Sequence, residues 1–305
     1  MNSRTAGSTP PRVLVAPDKF RGSLSAERVA AALSDGFRSA IPDVRVLEFP
    51  IGDGGEGTVQ TLLRHGWQRQ TVEVEGPLGE QVIATWAQRG PLAVLEMSSV
   101  AGFSLVGHSP DSFTACNAST FGVGQLVTAA LDAGAEEIVL GVAGSATTDG
   151  GAGALCALGL RLLDADGVLL PRWGDDFHRI ARIDISMMDA RLHNVQLIVA
   201  YDVDNPLLGA AGAAAVYGPQ KGAGPDSVTF LGEKAGSLGR RMCERDRSGS
   251  PSCSRCRCWR WSGVWARRPS AGSTKAGYRS ASGLDGHEVK DRSDGSRGCR
   301  GRLAR

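Results

Sequence analysis

EEIVLGVAGSATTDGGAGALCALG, residues 136–159, joins an apolar run, a glycine- and hydroxyl-rich turn and an alanine/leucine-rich run. Ile138 to Ala143 has the length and composition of a buried strand, and Ala152 to Leu163 those of the helix after it. Between them lie Gly144, Ser145, Thr147, Thr148, Asp149, Gly150 and Gly151. Such a loop can turn backbone N–H groups toward an anion while the next helix adds partial positive charge, which makes it a candidate phosphate cradle. The same residues also suit a plain β-to-α connection, with glycine for the turn and Ser, Thr or Asp for the cap. No G-x-x-x-x-G-K-[ST] occurs in the chain, so phosphate chemistry here would use a scaffold other than the Walker A loop.

Upstream, Val13 to Ala16 reads as a short buried strand, followed by a charged loop and an amphipathic helix from about Ala26 to Ala40, with Ser25 as its N-cap. The loop leaves the carboxyl end of a strand, where ligands bind in open α/β sheets, and Asp18, Lys19 and Arg21 suit a small carboxylate or a phosphate. Val44 to Ile51 is a second strand, and Gly52-Asp53-Gly54-Gly55-Glu56-Gly57 opens the helix Thr58 to His65. Literally this is G-x-G-x-x-G, with Glu73 and Glu75 near the acidic position of a dinucleotide fold. Asp53 and Glu56 would repel a bare pyrophosphate but could hold Mg²⁺, so a metal or general-base loop fits better.

Thr71 to Val74 and Gln81 to Gln88 read as paired strands around Gly76-Pro77-Leu78-Gly79, and a second domain is expected from about residue 76. Ala93 to Ser98 is another strand. Ser119 to Ala133 is a helix in which Gly122 and Gly124 cost stability unless the backbone must approach a ligand. Leu192 to Tyr201 is the next strand, ending in Asp202-Val203-Asp204, and Lys221, within the small residues of 212–224, could reach a phosphate as a point charge.

The 305 residues suffice for about two domains, and the net charge of +2 hides an asymmetry. Residues 1–232 carry 16 basic and 25 acidic side chains, whereas residues 233–305 carry 18 and 7. The last 73 residues contain no Ile or Phe but five of the seven Cys and three of the six Trp. Cys116 and Cys156, the cysteines of the first part, sit among small or apolar residues, as suits a reducing compartment. The short polar N-terminus lacks a signal-peptide core and no run is long enough to span a bilayer, so a cytoplasmic protein without membrane contact is expected.

Four blocks in order, APDKFRGSLSA (16–26), PIGDGGEGT (50–58), GVAGSATTDGGAGALCALG (141–159) and DVDNPLLG with YGPQKGA (202–223), resemble the type-1 glycerate kinases over about residues 12–230. STFGVGQL (119–126) and LEMSSVAGFSLV (95–106) resemble further segments of that family. The resemblance implies an α/β protein in which a flavodoxin-like parallel-sheet domain carries an inserted second α/β domain. It implies phosphorylation of D-glycerate with ATP and Mg²⁺ in the cleft between them, 2-phosphoglycerate being the favoured product. Carried onto this chain, Asp18, Lys19, Arg21 and Ser23 would hold glycerate carboxylate or phosphate, with Lys19 among the catalytic residues. Asp53 and Glu56 would hold Mg²⁺ or accept the hydroxyl proton, the 144–151 loop with a catalytic Asp149 would hold phosphate, and Asp202, Asp204 and Lys221 would line the opposite wall, with Asp202 and Asp204 as further Mg²⁺ ligands. Gly52, Thr148 and Tyr201 stand where the family usually has Ala, Asn and Cys.

The expected organisation is a loose leader (1–11), the N-terminal part of the flavodoxin-like domain (12–75), the second domain (76–232) and a basic, disordered tail (233–305) where the C-terminal part of the first domain is missing. The tail has only three Leu and two Val, too little apolar surface to offset the entropy of ordering it. Cys253, Cys256 and Cys258, with Cys243, Cys299 and His287, lack the paired spacing of a zinc site, and a basic arm with interleaved Trp is the composition of a nucleic-acid binder. The tail is read instead as a shifted reading frame: one base later every Trp codon encodes glycine, and residues 256–263 turn into the Gly/Ala-rich segment the family has there. An inactive remnant or a basic-tailed nucleic-acid-binding protein is the alternative to a kinase; nucleic acid is not the expected partner, and the oligomeric state is open.

Overall fold

The computed structural model describes residues 10–20, 23–52, 54–107, 109–172, 175–201, 203–245 and 264–266. Its main sheet is organised around β6 (Glu137–Gly141), which runs parallel to β5 (Leu92–Glu96) on one side and to β9 (Gln196–Ala200) on the other. From β5 the sheet continues antiparallel through β4 (Gln81–Arg89) to its edge, β3 (Gln68–Glu75), and beyond β9 it ends on the parallel β10 (Val264–Ala266). The class is therefore mixed α/β. Leu95 and Ile138 at the sheet centre are fully buried, as expected for strands covered on both faces.

Helix α5 (Phe121–Asp132) lies on this sheet, with Val123, Leu126, Val127 and Ala130 buried in one cluster with Trp86, Leu95 and Ile138. Gly122 and Gly124, which the sequence tied to a ligand, have another reason. A Cβ at Gly122 would sit 1.8 Å from the Glu75 carbonyl oxygen, and one at Gly124 would sit 2.3 Å from that of Ala154. They let the helix touch β3 and α6 (Ala152–Ala157), backbone to backbone. Gly124→Ala is expected to cost about 1–3 kcal/mol through this overpacking, read as a lower urea midpoint at unchanged m-value.

The helix expected over 152–163 stops at Ala157, and 161–163 is instead strand β7, antiparallel to β8 (Arg182–Asp184). Gly159 ends the helix with φ +101°, where an added Cβ would lie 2.0 Å from the Met187 carbonyl oxygen; a crossing backbone leaves no room for another turn. The strand expected from Leu192 begins only at Gln196, because Ala190–His193 is a 3₁₀ turn capped by Asp189. Within the small-residue stretch around Lys221, residues 213–217 form a short helix, α7, and 219–221 a 3₁₀ turn.

Two expected boundaries move. Helix α8 (Pro225–Arg245) crosses residue 233, and its Leu231 and Leu238 are buried in a second core with Leu162, Phe177 and Ile183. Chain on both sides of 232 thus belongs to one packed unit, because the helix keeps an apolar stripe facing that core. The leader through residue 9, the segment 256–263 expected to reflect a shifted frame, and the cysteines from 253 onward with His287 lie outside the described residues.

The other boundary concerns the N-terminal unit. Strands β1 (Arg12–Val15) and β2 (Arg45–Glu48) pair in parallel and are joined by α1 (Ala26–Ala40), whose N-cap Ser25 accepts from the Arg28 amide and whose Val29, Ala30 and Ser34 face inward. Leu14 and Leu47, partners in register, remain 62% and 64% exposed on the other face. The next helix, α2 (Thr58–Arg64), already packs Val59 with Trp67, Ala87 and Val94 of the large sheet. β3, expected to close the first domain at residue 75, is the edge of that sheet. Among the described residues no helix is long and apolar enough to cross a membrane.

Candidate active site

The loops that follow β1, β2, β5, β6 and β9 all line one cleft of about 890 Å³. Carboxyl-end loops of parallel strands are where α/β folds bind ligands, and the volume suits a small-molecule site. Asp18, Lys19 and Ser23 enter from the β1 loop, Glu56 from the β2 loop, Ser98 from the end of β5, and Gly144 and Ser145 from the end of β6. Tyr201 and Val203 follow β9, while Tyr217, Gln220 and Lys221 come from α7 and the 3₁₀ turn after it.

The walls are tied together by polar contacts. Lys19 Nζ donates to the Glu56 carbonyl oxygen at 3.0 Å, linking the first two loops, and the Lys19 amide donates to Asp18 Oδ1 at 2.6 Å. Ser23 Oγ donates to the Phe20 carbonyl oxygen at 3.1 Å, closing the turn before α1. Beneath the β2 loop, Glu96 is buried and its carboxylate accepts from the Val59 amide. Burial raises the Glu96 carboxyl above the usual range, against the amides of Val59 and Gly57 and the charge of Lys19, with Glu56 adding to the rise.

On the opposite wall Lys221 Nζ donates to Ser145 Oγ at 3.1 Å and to the Thr147 carbonyl oxygen. Burial lowers its ammonium from 10.5 to about 8, with the negative charge of Asp149 pulling the other way. Gly144 turns the chain here with φ +75°. An antiparallel bridge between Gly102 and Ser145, and a 2.8 Å bond from the Ala146 amide to the Ala101 carbonyl oxygen, hold the β6 turn against the segment after β5.

The family model described as "Glycerate kinase family" matches residues 13–251. The chain belongs to the glycerate kinase family. It is 45% identical over 225 residues to a glycerate kinase of Halalkalibacterium halodurans, covering 73% of this chain and 59% of that protein. It is 41% identical over 229 residues to the glycerate 2-kinase of Escherichia coli, covering 72% and 58%. A crystal structure of glycerate kinase 2 from Salmonella typhimurium LT2 superposes with a TM-score of 0.67 at 40% identity, over 77% of this chain and 63% of that one. This member of the glycerate kinase family thus spans about three fifths of the length of the relatives it matches.

Of the residues that the resemblance assigned, Asp18, Lys19, Ser23, Glu56, Gly144, Ser145 and Lys221 share the cleft. Asp149 does not line it. Its side chain is 1% exposed and accepts from the Thr120 amide (2.8 Å), Thr120 Oγ1 (2.6 Å), the Gly153 amide (3.1 Å) and the Gly151 amide (3.0 Å). So buried and with four donors already on it, the carboxylate is turned away from the cleft, and the Gly151 and Gly153 amides are spent on it rather than on a phosphate. Gly150 and Gly151 therefore serve the turn with φ of +62° and +80°, while Thr147 and Thr148 lie behind the cleft wall. Asp204 is exposed beside the cleft and is not among its lining residues. Arg21, Asp53 and Asp202 lie outside the described residues.

Sequence reasoning left Glu96, Ser98, Phe103, Tyr217 and Gln220 unassigned, although all five lie in or beside the cleft. The quoted segment 95–106 held a signal for three of them, since it follows a strand's carboxyl end. Tyr217 ends α7 and Gln220 sits in the 3₁₀ turn after it, two elements for which the small-residue stretch 212–224 gave no signal.

Proposed function

We propose that this chain transfers the γ-phosphoryl group of ATP to a hydroxyl of D-glycerate, releasing ADP and phosphoglycerate. The name of the E. coli relative, glycerate 2-kinase, favours the 2-hydroxyl. The observation that carries the proposal is the meeting of two lysines, Lys19 and Lys221, from opposite walls of one cleft that also holds the carboxylates of Asp18 and Glu56. Phosphoryl transfer is mainly positioning and charge neutralisation, and those groups supply both.

The glycerate hydroxyl oxygen forms the new P–O bond as the bond from the γ-phosphorus to the bridging oxygen of ADP breaks, and the hydroxyl proton passes to a carboxylate of the β2 loop. Asp53 is assigned that role, with Glu56 beside it in sequence. Lys221 neutralises charge on the transferred group, helped by the Ser145 hydroxyl, and Lys19 holds the β1 and β2 loops together around the substrate. Among the described residues no three His, Cys, Asp or Glu side chains group as a metal cage. Mg²⁺ bound through one or two carboxylates plus nucleotide phosphates needs no such cage, and Glu56 fits as one of those carboxylates. When bound, Mg²⁺ would offset the charge of the phosphate oxygens.

The test is a coupled ADP-release assay on the full chain with D-glycerate, ATP and Mg²⁺, beside Asp53→Ala. The expected result is turnover that needs glycerate and falls about 10²–10⁴-fold in the variant, as for loss of a general base. Folded protein that releases no ADP with glycerate would overturn the assignment for this chain.

A further inference from the structure

We infer that Ser98 is a ligand-binding residue, forming with Ser145 and Lys221 an oxyanion subsite at the floor of the cleft. Ser98 opens the short segment after β5, lines the cleft and is 8% exposed. Its Oγ is buried and has no hydrogen-bond partner among the described residues. The neighbouring Ser99 shows the ordinary local solution, its Oγ donating to the Glu96 carbonyl oxygen at 2.8 Å. A buried hydroxyl left unpaired costs stability, and in a residue that lines a cleft a ligand's acceptor would relieve that cost.

The surroundings say what kind of acceptor. Gly144 stands against Ser98: a Cβ there would lie 3.6 Å from the Ser98 Cβ, in ordinary contact. Ser145 Oγ already accepts from Lys221 Nζ, so its own proton is available to donate. Lys221 brings a positive charge to the same turn. Asp149, whose charge reaches Lys221, directs its oxygens to Thr120, Gly151 and Gly153 and stays out of the cleft. Ser98, Ser145 and Lys221 thus line one cleft, Ser98 against Gly144 and Ser145 bonded to Lys221, with no carboxylate of this turn competing, a set that suits an oxyanion. The anion's identity rests on the kinase reading: it is either a phosphoryl group of the nucleotide or the carboxylate of glycerate.

The test compares the full-length chain with Ser98→Ala by thermal unfolding without ligand and by titration calorimetry with inorganic phosphate, Mg·ATP and D-glycerate separately. Removing an orphaned hydroxyl is expected to leave the unfolding temperature unchanged or raise it, and to weaken binding about tenfold. Loss confined to phosphate and Mg·ATP identifies a phosphoryl subsite; loss confined to D-glycerate identifies a carboxylate subsite. A lower unfolding temperature with all affinities intact would make Ser98 a structural hydroxyl and overturn the inference, as would no change in either readout. So would a wild-type chain that binds none of the three probes. Turnover with unaltered KM values in Ser98→Ala sinks the subsite and spares the kinase reading, whereas Ser98-dependent phosphate binding without turnover does the reverse. Ser98→Cys, which keeps the volume but only a weak donor, reads the same affinities if the alanine variant does not fold.

Discussion

Asp149→Ala is expected to destabilise the protein by about 3–5 kcal/mol, the scale seen when one member of a fully engaged buried charged network is removed. Four donors converge on this carboxylate: the amides of Thr120, Gly151 and Gly153 and the Thr120 hydroxyl. The Thr120 hydroxyl in turn accepts from the Ala154 amide at 2.9 Å, so one side chain joins the start of α5 to the start of α6. Alanine leaves two buried N–H groups and one partly buried one unpaired at once. Asparagine offers one oxygen but sets an N–H₂ against donors, so it falls between. Urea unfolding of both variants measures the cost. Wild-type stability with lost turnover would instead make Asp149 a catalytic group and sink the structural assignment.

Lys221→Met is expected to lower kcat/KM by about 10²–10³, the usual cost of removing one preorganised donor from a developing oxyanion. A pH profile tests the same side chain without removing it. With its ammonium lowered to about 8, Lys221 in the free protein is charged below that pH, so kcat/KM should fall along an alkaline limb centred near 8. The sign of the stability effect separates this from unfolding. Between about 8 and 10.5 the unfolded chain holds this proton more tightly than the folded one, so Lys221 makes the fold more stable as pH rises through that window. Activity lost while stability is gained can only be titration of the site. Lys221→Arg, always charged, should move the limb outward, and Asp149→Asn, which removes the charge that holds the proton on, should move it inward. An alkaline limb unchanged in both would remove Lys221 from the chemistry.

What was legible in the sequence was mostly local. The run Ile138 to Ala143 announced a buried strand, the Gly76–Gly79 turn announced the β3–β4 hairpin, and Ser25 announced the start of α1. The four family blocks each end a parallel strand or follow one, which is why they converge on a single cleft. What stayed hidden depends on partners far along the chain. Nothing in TTDGG says that Asp149 belongs to Thr120, 29 residues earlier, nor does GVGQ say that Gly122 lies against the Glu75 carbonyl. Gly159 likewise looks like an ordinary helical residue until the backbone of Met187 is laid across it. A turn rich in hydroxyls and acids offers the same letters whether its carboxylate points at a substrate or at its own helix, and only the packing of α5 on α6 decides.

The bare face of Leu14 and Leu47 bears on how the protein breathes. Two strands and one helix are a small cooperative unit, with few buried apolar contacts to lose when it opens, so its backbone amides will trade hydrogen for deuterium well before those of β5 and β6. The unit carries Asp18, Lys19 and Ser23, whereas Ser98, Ser145 and Lys221 ride on the deeply packed sheet and its helices. An anion bridging Lys19 to Lys221 would tie the N-terminal strand pair to the rest of the cleft, and slower exchange of the β1 and β2 amides on adding Mg·ATP is the expected sign of it.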